Sequence, residues 1–480
     1  MTTHRSYLMN GSWQMKAEQE NTVQSIVNPF TKETIFTYIE PTQDEVTSAI
    51  LAAKKALRKP FTPRTRADVL LKTSELMKER KEDLARAISM ETGKPIRDAR
   101  LEVGRATLNV RMAAEEAARI QGYTEEQEPL GTKTVVSMTI REPVGVVCAI
   151  TPFNFPMNIT ALKIAPALAA GNAVVLKPAD QTPMSVSMLA DLLIEAGLPD
   201  GYLTVVLGGP KVGHTLFIDE QIDLYTFTGS VAVGQLLKQQ SGIRPVILEL
   251  GSNAPNIVHD DINVQEVASQ LVKAAFSFAG QVCVSAQRIY VHRKIYDEFL
   301  QEFITLVKQL KTGDPLDEKT DIGPMIATKA AMRVEQWVHD AITMGAISHT
   351  EIRREDNVLY PIVLSNVSPS MQVMCEEAFG PIVNVLPYDS VAEVIEQCND
   401  SQFGLQAGVF TNNLQVAMAI ARGLDYGSVN LNQTSTARPD SMPYGGRKNS
   451  GIGKEGARAS IEAMTTQKVI TIIHEGAEQQ

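Results

Sequence analysis

One cysteine stands in a sequence setting that suits a nucleophile. Cys283 lies within residues 276–288, three positions after Gly280 and among small and apolar neighbours. The other cysteines of the chain are Cys148, Cys375 and Cys398. No Cys-x-x-Cys pair or His/Cys cluster surrounds Cys283, so we expect no metal site and no redox dithiol. Cys283 is therefore either a nucleophilic thiol, which needs a lowered pKa or a nearby base, or a small apolar filler of the core.

Two polar residues near strand ends could complete a site around such a thiol. Glu249 stands inside the apolar strand pattern of residues 246–251, where burial would raise its carboxyl pKa toward the range of a general base. The alternative is a buried ion pair, with Arg244 as the candidate partner. Asn154 follows another apolar strand, and its amide could donate to a developing oxyanion. An isolated asparagine at such a point is more often a turn residue.

Two further strand ends carry residues that suit a nucleotide. Gly229 and Ser230 lie between a strand and a helix start, where free N–H groups and the helix dipole favour a pyrophosphate. A Gly-x-Gly-x-x-Gly motif is missing there, so a tight strand-to-helix turn is an equal alternative. Lys177 and Asp180 end another strand, and a carboxylate at that edge can accept ribose hydroxyls and repel a 2′-phosphate. Their alternative is a solvated loop.

Length, charge and composition exclude several classes of protein. At 480 residues the chain is long enough for two or three domains. Its 45 Lys and Arg against 55 Asp and Glu give a net charge of −10, which argues against a nucleic-acid partner. The N-terminus lacks an apolar signal core, and no stretch approaches the roughly 18 to 20 apolar residues of a membrane span. Four unpatterned cysteines suit a reducing compartment, so we expect a cytoplasmic protein without a membrane partner.

Hydrophobic periodicity places these residues on an α/β framework. Helical spacing predicts helices over about 42–57, 64–81, 82–91 and 96–120. Short apolar strands alternate with helices over 144–251 and again from 254 to about 410, which predicts two lobes with a cleft between them. Residues 132–142 and 467–474 read as strands outside these units. They are either an oligomerisation arm or an ordinary edge hairpin.

Taken together, the chain resembles the aldehyde dehydrogenase superfamily. The segments that carry the resemblance span nearly the whole chain: 90–95, 150–156, 176–180, 227–230, 248–251, 280–283, 376–381 and 442–446. The resemblance implies an α/β fold of two doubly wound domains with a β-strand arm. The dinucleotide-binding domain would occupy 1–125 and 143–252, the catalytic domain 253–449, and the arm 126–142 and 450–480. Such enzymes are homodimers or homotetramers.

The resemblance also implies a mechanism. The Cys283 thiolate attacks an aldehyde carbon, and the Asn154 side chain and the Cys283 backbone N–H hold the oxyanion. Hydride passes to a nicotinamide, and Glu249 activates water to release a carboxylic acid from the thioester. The implied cofactor-binding residues are Ile150, Thr151, Lys177, Asp180, Gly213, Phe227, Gly229, Ser230, Gly251, Glu377 and Phe379. Asp180 favours NAD, with NADP as the alternative.

Three positions depart from the usual family pattern. Ser252 replaces a second glycine and puts the fine cofactor geometry in question. Asp180 stands where glutamate is frequent, and Phe153 where tryptophan is common.

Within the superfamily the chain looks most like lactaldehyde, phosphonoacetaldehyde and non-phosphorylating glyceraldehyde-3-phosphate dehydrogenases. Members that grip phosphate or phosphonate carry arginines at the positions of Arg105 and Arg438, and often a third where this chain has Val282. We therefore expect a short polar or anionic aldehyde, such as lactaldehyde, glycolaldehyde or a sulfonated or phosphonated relative. Succinate semialdehyde and glyceraldehyde 3-phosphate are alternatives, and Arg105 could equally be a surface ion pair.

Other activities and roles remain open alternatives. A CoA-acylating dehydrogenase would pass the thioester to CoA, and it would not need the water-activating Glu249. A catalytically silent relative or a cysteine hydrolase without nicotinamide are the remaining readings.

Overall fold

The computed structural model describes residues 3–18, 22–130 and 133–475. Within these ranges the α-helices are α1 (Gln43–Ala56), α2 (Pro63–Glu79), α3 (Lys81–Thr92), α4 (Ile96–Ala117), α5 (Pro156–Ala170), α6 (Pro183–Glu195), α7 (Pro210–Ile218), α8 (Val231–Gln240), α9 (Val264–Phe276), α10 (Tyr296–Val307), α11 (Thr328–Thr343), α12 (Gln372–Cys375), α13 (Val391–Asn399), α14 (Leu414–Gly423) and α15 (Ala457–Ala463). The four helices predicted before residue 120 agree with α1 to α4. None of the helices in the described ranges is long and apolar enough to cross a bilayer.

The strands of the same ranges are β1 (Thr3–Met9), β2 (Ser12–Ala17), β3 (Val23–Val27), β4 (Thr34–Ile39), β5 (Tyr123–Leu130), β6 (Lys133–Pro143), β7 (Val146–Ile150), β8 (Ala173–Lys177), β9 (Leu203–Val206), β10 (Leu224–Thr228), β11 (Val246–Glu249), β12 (Pro255–Val258), β13 (Arg288–His292), β14 (Ile347–Ser348), β15 (Arg354–Glu355), β16 (Val358–Leu359), β17 (Ile362–Ser365), β18 (Ile382–Tyr388), β19 (Phe403–Gly404), β20 (Gln406–Phe410), β21 (Ser428–Leu431), β22 (Arg447–Lys448), β23 (Gly451–Ile452) and β24 (Thr465–Glu475).

The first lobe is built on a ten-stranded sheet. Its strand order is β23-β11-β10-β7-β8-β9-β1-β4-β3, with β2 paired to β1. Strands β7 to β11 are parallel and buried along their whole length, which explains their continuous apolar sequences. Because parallel strands all end at the same edge, the sheet collects at one edge the polar residues that follow β7, β8, β10 and β11.

The second lobe is built on a seven-stranded sheet. Its order is β14-β17-β18-β13-β12-β20-β21, and all pairs except β14–β17 are parallel. A separate apolar core forms around it from helices α9, α10 and α11, with Phe299 and Phe303 fully buried. The two α/β lobes predicted from the sequence are confirmed.

A third, three-stranded antiparallel sheet joins β5, β6 and β24. The two predicted outlying strands are confirmed, and the structure shows that they pair with each other as β6 and β24. Strand β5 was not predicted, because its sequence is rich in Glu and Gln and lacks apolar alternation. The predicted arm also needs correction at its C-terminal part, since β23 pairs with β11 and α15 packs on α5 of the first lobe. Of the predicted arm and strands, residues 131, 132 and 476–480 lie outside the described residues.

Candidate active site

The nucleophile candidate sits on a strained turn at the entrance to β13. After α9 the chain makes a 3-10 turn in which Phe278, Ala279 and Gly280 all have positive φ angles of 50°, 53° and 68°. A Cβ on Gly280 would lie 2.1 Å from the carbonyl oxygen of Gly380, so only glycine allows this approach. Left-handed backbone at non-glycine residues is costly and clusters at functional sites. The turn leaves the Cys283 side chain half-buried rather than sealed in the core.

Glu249 lies across from this thiol at the end of β11. It is nearly fully buried, and one carboxylate oxygen has no hydrogen-bond partner among the described residues. Burial, followed by the charge of Glu455, raises the pKa of Glu249 to about 7. Arg244 donates to four backbone carbonyl groups, so the ion-pair alternative for Glu249 does not hold. The carboxyl group is therefore poised between its two protonation states at neutral pH.

The thiol itself is surrounded by groups that oppose its ionisation. Burial, and next the neighbouring Glu249, raise the pKa of Cys283 well above its usual range. Glu377 adds a smaller contribution in the same direction, while the hydroxyl of Tyr444, 3.8 Å from the sulfur, lowers the pKa of the thiol. Tyr444 was not singled out from the sequence, where its only signal was a tyrosine in the matching segment 442–446.

Asn154 joins the two lobes beside the thiol. Its side-chain N–H donates to the carbonyl of Gln281 at 2.9 Å, two residues before Cys283, and the second N–H of the amide remains for a ligand. Lys94 donates to the backbone carbonyl of Asn154 at 2.7 Å and contacts the buried carboxylate of Glu102. This buried pair was also missed, although Lys94 lies in segment 90–95, which carried the resemblance.

Glu102 continues the support on the other side of Asn154. Its carboxylate accepts the N–H groups of Met157 and Asn158 at 2.9 and 3.2 Å, at the start of α5. The buried pair therefore fixes the turn on which Asn154 stands.

The predicted cofactor residues meet at the carboxyl edge of the first sheet. Ile150 pairs with Lys177 on one side and with Phe227 on the other. The N–H of Thr151 donates to the carbonyl of Lys177 at 3.1 Å, and the N–H of Gly229 donates to the carbonyl of Glu249 at 3.1 Å.

Five more predicted residues flank this edge. The Ser230 hydroxyl caps α8 by accepting the N–H of Val233, while Gly213 of α7 packs against the Lys177 side chain. Glu377 accepts the N–H of Ser252 at 2.9 Å, and Phe379 makes an edge contact with Phe153. A Cβ on Gly251 would lie 2.8 Å from the Glu377 carboxylate, so glycine is needed there.

Carboxylates flank the far end of this edge. A Cβ on Gly209 would lie 3.4 Å from a Glu40 oxygen and 3.9 Å from an Asp180 oxygen, so both carboxylates face the same glycine. Glu40 also accepts the Gly209 N–H at 2.7 Å. Lys177 is buried between them and the sheet, and its neighbours include both carboxylates. Glu40 was missed because it follows a strand far away in sequence.

The edge has the features of a dinucleotide site. The hydroxyl oxygens of Thr228 and Ser252 are buried without a partner among the described residues, which is what a site open to a polar ligand shows. Close glycine packing and a capped helix start lie in the same region. The residues present therefore fit a dinucleotide cofactor.

The two predicted substrate arginines have different surroundings. Arg105 donates two hydrogen bonds to Asp440, at 2.9 and 2.7 Å, so its charge is already paired and direct substrate binding by it stays an untested prediction. Arg438 stacks 3.8 Å above the ring of Tyr444, and its Nε and Nη2 atoms are buried without a hydrogen-bond partner in the described residues.

A buried charge network lies behind Glu249. Lys163 of α5 contacts Glu455 at 2.6 Å, and Arg438 lies 3.9 Å from the same carboxylate. Lys163 and then Arg438 are the positive charges that lower the pKa of Glu455 despite its burial. Sequence reasoning missed this pair because its members stand 292 residues apart. A lysine within the otherwise apolar α5 was the available signal.

Comparison with known proteins decides the family. The sequence profile of the Aldehyde dehydrogenase family matches residues 13–470. The chain belongs to the aldehyde dehydrogenase family.

Individual relatives support the same assignment. The 3-sulfolactaldehyde dehydrogenase of Priestia aryabhattai is 44% identical over 467 residues, covering 97% of each chain. The lactaldehyde dehydrogenase of Methanococcus vannielii is 36% identical over 471 residues, covering 97% of this chain and 99% of its own. The glyceraldehyde-3-phosphate dehydrogenase of Methanocaldococcus jannaschii, solved with NADP, superposes with a TM-score of 0.90 at 34% identity, covering 93% of this chain and 98% of its own.

The family assignment confirms the predicted enzyme class. The protein is an NAD(P)-dependent aldehyde dehydrogenase with the fold of its relatives.

Proposed function

We propose that this enzyme oxidises a short aldehyde with a singly charged anionic tail, such as 3-sulfolactaldehyde, to its carboxylic acid. The observation that carries the proposal is the Arg438 guanidinium, whose buried Nε and Nη2 atoms have no hydrogen-bond partner among the described residues, with Nη2 3.9 Å from the Glu455 carboxylate. A buried unpaired donor is costly, so an anionic acceptor from the substrate would complete the site. Arg438 lies one tyrosine ring away from the Cys283 sulfur, which suits a tail a few atoms from the aldehyde carbon.

The charge around Arg438 favours one negative charge over two. Arg105 is already paired with Asp440, and the Glu455 carboxylate lies 3.9 Å from Arg438. The residue before the nucleophile is Val282, which carries no positive charge. A phosphate monoester carries nearly two charges at neutral pH, whereas a sulfonate carries one. The relatives that act on 3-sulfolactaldehyde, lactaldehyde and glyceraldehyde 3-phosphate thus represent three tails, of which the sulfonate fits this pocket best.

We propose the following roles in the first half of the reaction. The Cys283 thiol loses its proton to solvent, and the thiolate sulfur then attacks the aldehyde carbon. The Asn154 amide N–H that is not bonded to Gln281, with the Cys283 backbone N–H, stabilises the resulting oxyanion. Lys94 and Glu102 hold the Asn154 turn rigid, so the donor is in place before the charge develops. A nicotinamide bound at the carboxyl edge of the first sheet would supply the acceptor for the hydride that leaves this carbon. The acyl group then remains on Cys283 as a thioester.

Glu249 acts in the second half. Its carboxylate, with a pKa of about 7, takes a proton from a water molecule that attacks the thioester carbon. The buried network of Lys163 and Glu455 lies behind it. Release of the acid restores the Cys283 thiol. A CoA-acylating enzyme would not need this base, so a requirement for CoA would contradict the proposal.

We propose NAD as the preferred cofactor. Lys177, Asp180, Gly213 and Ser230 would hold its adenosine and pyrophosphate, and Glu377 and Phe379 its nicotinamide end. Both Asp180 and Glu40 face Gly209, so a 2′-phosphate would meet two carboxylates. Fluorescence titration of NAD and NADP measures the preference directly. We expect tighter NAD binding, and Glu40→Gln together with Asp180→Ser should narrow the difference; equal affinities in the unaltered enzyme would contradict this.

We also propose that the first lobe binds the dinucleotide, the second lobe carries the nucleophile, and the sheet of β5, β6 and β24 joins copies of the chain. Apolar side chains of β24 are exposed in the single chain, including Val469 and Ile472 at 63% and 49%. A homodimer or homotetramer would cover them. Sedimentation velocity tests this, and a monomer at micromolar concentration would contradict it.

The substrate proposal is tested by comparing tails in unaltered and variant enzyme. We expect kcat/KM for 3-sulfolactaldehyde to exceed that for lactaldehyde and for glyceraldehyde 3-phosphate. Arg438→Met should lower kcat/KM for 3-sulfolactaldehyde by about 10- to 150-fold, since a charged hydrogen bond is worth about 1.5–3 kcal/mol. It should leave lactaldehyde within about threefold.

The control for this test is an exposed arginine. Arg458 of α15 is exposed, and within the described part of the chain its ion pair is with Glu462, so Arg458→Met should leave kcat/KM unchanged for both substrates. Equal losses on 3-sulfolactaldehyde and lactaldehyde in Arg438→Met would reject the anion-binding role, and faster oxidation of lactaldehyde by the unaltered enzyme would reject the substrate proposal.

A further inference from the structure

Tyr444 presents a hydroxyl to the nucleophile where its ring alone would fill the space. The ring packs in an apolar cluster with Val284 and Leu405, against the side chains of Val282 and Cys283. The residue is buried, and among the described residues its hydroxyl has one hydrogen-bond partner, the Cys283 sulfur at 3.8 Å. A buried hydroxyl without a partner is unfavourable, so the contact with sulfur is what makes tyrosine acceptable here.

The backbone fixes where this hydroxyl points. Tyr444 and Glu455 exchange two backbone hydrogen bonds, at 2.9 and 2.7 Å, as an isolated antiparallel bridge. Glu455 is in turn held by Lys163 inside the first lobe. The tyrosine therefore has little freedom to turn away from the sulfur.

Arg438 stacks on a face of the Tyr444 ring. Its guanidinium carbon lies 3.8 Å from the ring centroid, a stacking contact in which the cation withdraws electron density from the ring. This makes the phenol a stronger hydrogen-bond donor. Burial and the Cys283 and Glu249 charges raise the pKa of Tyr444 well above its usual value, and Arg438 opposes that rise.

We propose that Tyr444 is a positioning residue for the nucleophile, whose O–H donates to the Cys283 sulfur and stabilises its thiolate, with Arg438 strengthening the donor. This inference rests on the proposed role of Cys283. The other charged groups that face the thiol are Glu249 and Glu377, and both disfavour the thiolate. Tyr444 is the group among these that favours the reactive form, and it does so without taking the proton away.

The proposal couples the substrate tail to the nucleophile. The same Arg438 that is proposed to bind an anionic tail lies over the ring that contacts sulfur. The arginine thus serves both substrate binding and, through Tyr444, thiol ionisation. Loss of Arg438 should consequently alter the free enzyme as well as substrate binding.

The test measures thiol ionisation in the complete enzyme without cofactor or aldehyde. The rate of Cys283 alkylation by iodoacetamide is followed from pH 6 to 10, with peptide mass spectrometry assigning the label to Cys283. We expect Tyr444→Phe to move the midpoint of the profile upward by about one pH unit, which slows alkylation about tenfold at pH 7. The slowing should be about the same at every pH below both midpoints, and the rates should converge only above them, where the thiolate is formed in both proteins.

Two further variants separate a positioning role from a structural one. Arg438→Met keeps the tyrosine and should shift the midpoint upward by a smaller amount. Tyr296→Phe, which removes a hydroxyl bonded to the carbonyl of Val385, should leave the profile unchanged. If Tyr444→Phe fails to fold, 3-fluorotyrosine at position 444 keeps the ring and strengthens the O–H donor, so it should move the midpoint downward; an unmoved midpoint would then overturn the role of the hydroxyl.

The outcomes distinguish the two levels of the argument. Unaltered enzyme whose Cys283 is not alkylated, or which stays active after alkylation, would refute the proposed nucleophile. Suppose instead that Cys283 is alkylated normally and that the profiles of Tyr444→Phe and Arg438→Met coincide with that of the unaltered enzyme. This result would overturn the role of Tyr444 and leave the proposed nucleophile in place. A shift in Tyr444→Phe without one in Arg438→Met would support the tyrosine and reject the contribution of the arginine.

Discussion

Replacing Glu249, the proposed base, distinguishes its contribution to turnover from its effect on the stability of the fold. Glu249→Gln removes the carboxylate but keeps the size of the side chain. Because Glu249 is assigned to thioester hydrolysis only, the variant should still release about one reduced nicotinamide per active site in a rapid burst. Steady-state turnover should fall about 10²- to 10⁴-fold, the usual contribution of a general base. Stopped-flow absorbance of the reduced cofactor measures both phases.

The same substitution should stabilise the folded enzyme at alkaline pH. The pKa of Glu249 is about 7 in the fold against 4.5 for an ordinary glutamate, a difference equivalent to about 3 kcal/mol. A raised pKa in the fold means that the stability is fully present below pH 4.5 and is lost as the pH rises through 7. The melting temperature of Glu249→Gln should therefore exceed that of the unaltered enzyme at pH 8, and the difference should be much smaller at pH 5 and vanish below pH 4.5.

A surface control makes this result interpretable. Glu79 is exposed at the end of α2, so Glu79→Gln should leave both the burst and the pH dependence of melting unchanged. Loss of the burst together with turnover in Glu249→Gln would assign the carboxylate to an earlier step. A melting difference that is the same at pH 5 and pH 8 would refute the reasoning from burial.

Two other buried charges give sharp expectations. Glu455→Gln removes a charge that raises the pKa of Glu249, so the pH profile of kcat should move to lower pH; a profile that stays in place would show that the two carboxyl groups do not interact. Lys94→Met leaves Glu102 buried without its cation and should destabilise the enzyme by about 3–5 kcal/mol in chemical denaturation, whereas Arg458→Met at an exposed pair should cost less than about 1 kcal/mol. A small effect of Lys94→Met would mean that the Asn154 turn does not depend on this pair.

Hydrophobic periodicity and the positions of strand ends in the sequence predicted most of the fold. The amphipathic spacing of α1 to α4 predicted them closely, because apolar residues every three or four positions have to face a core. Likewise, Lys177, Gly229 and Glu249 each follow or end a buried parallel strand, so their convergence at one edge follows from the α/β pattern. Strand β5 was missed because an exposed strand needs no alternation of apolar residues.

The second layer of the site could not be read from the sequence. Lys163 and Glu455 are 292 positions apart, and Glu40 reaches Gly209 across 169 positions. The sequence around each of these residues does not indicate which distant residue it contacts. The resemblance likewise predicted the same substrate-binding role for Arg105 and Arg438. In the fold, Arg105 is paired with Asp440, whereas two guanidinium nitrogens of Arg438 have no hydrogen-bond partner among the described residues.

The distribution of charge around Cys283 explains why the hydroxyl of Tyr444 matters. Two carboxyl groups, Glu249 and Glu377, face the thiol, and burial raises the pKa of each of the three groups. A lysine or arginine placed directly on the sulfur would favour the thiolate more strongly, but it would also pair with Glu249 and remove the base needed for hydrolysis. A neutral donor avoids this conflict, because Tyr444 can stabilise sulfur without neutralising the carboxylate. Because Arg438 stacks on the Tyr444 ring, its positive charge can act on both the phenol and the substrate tail.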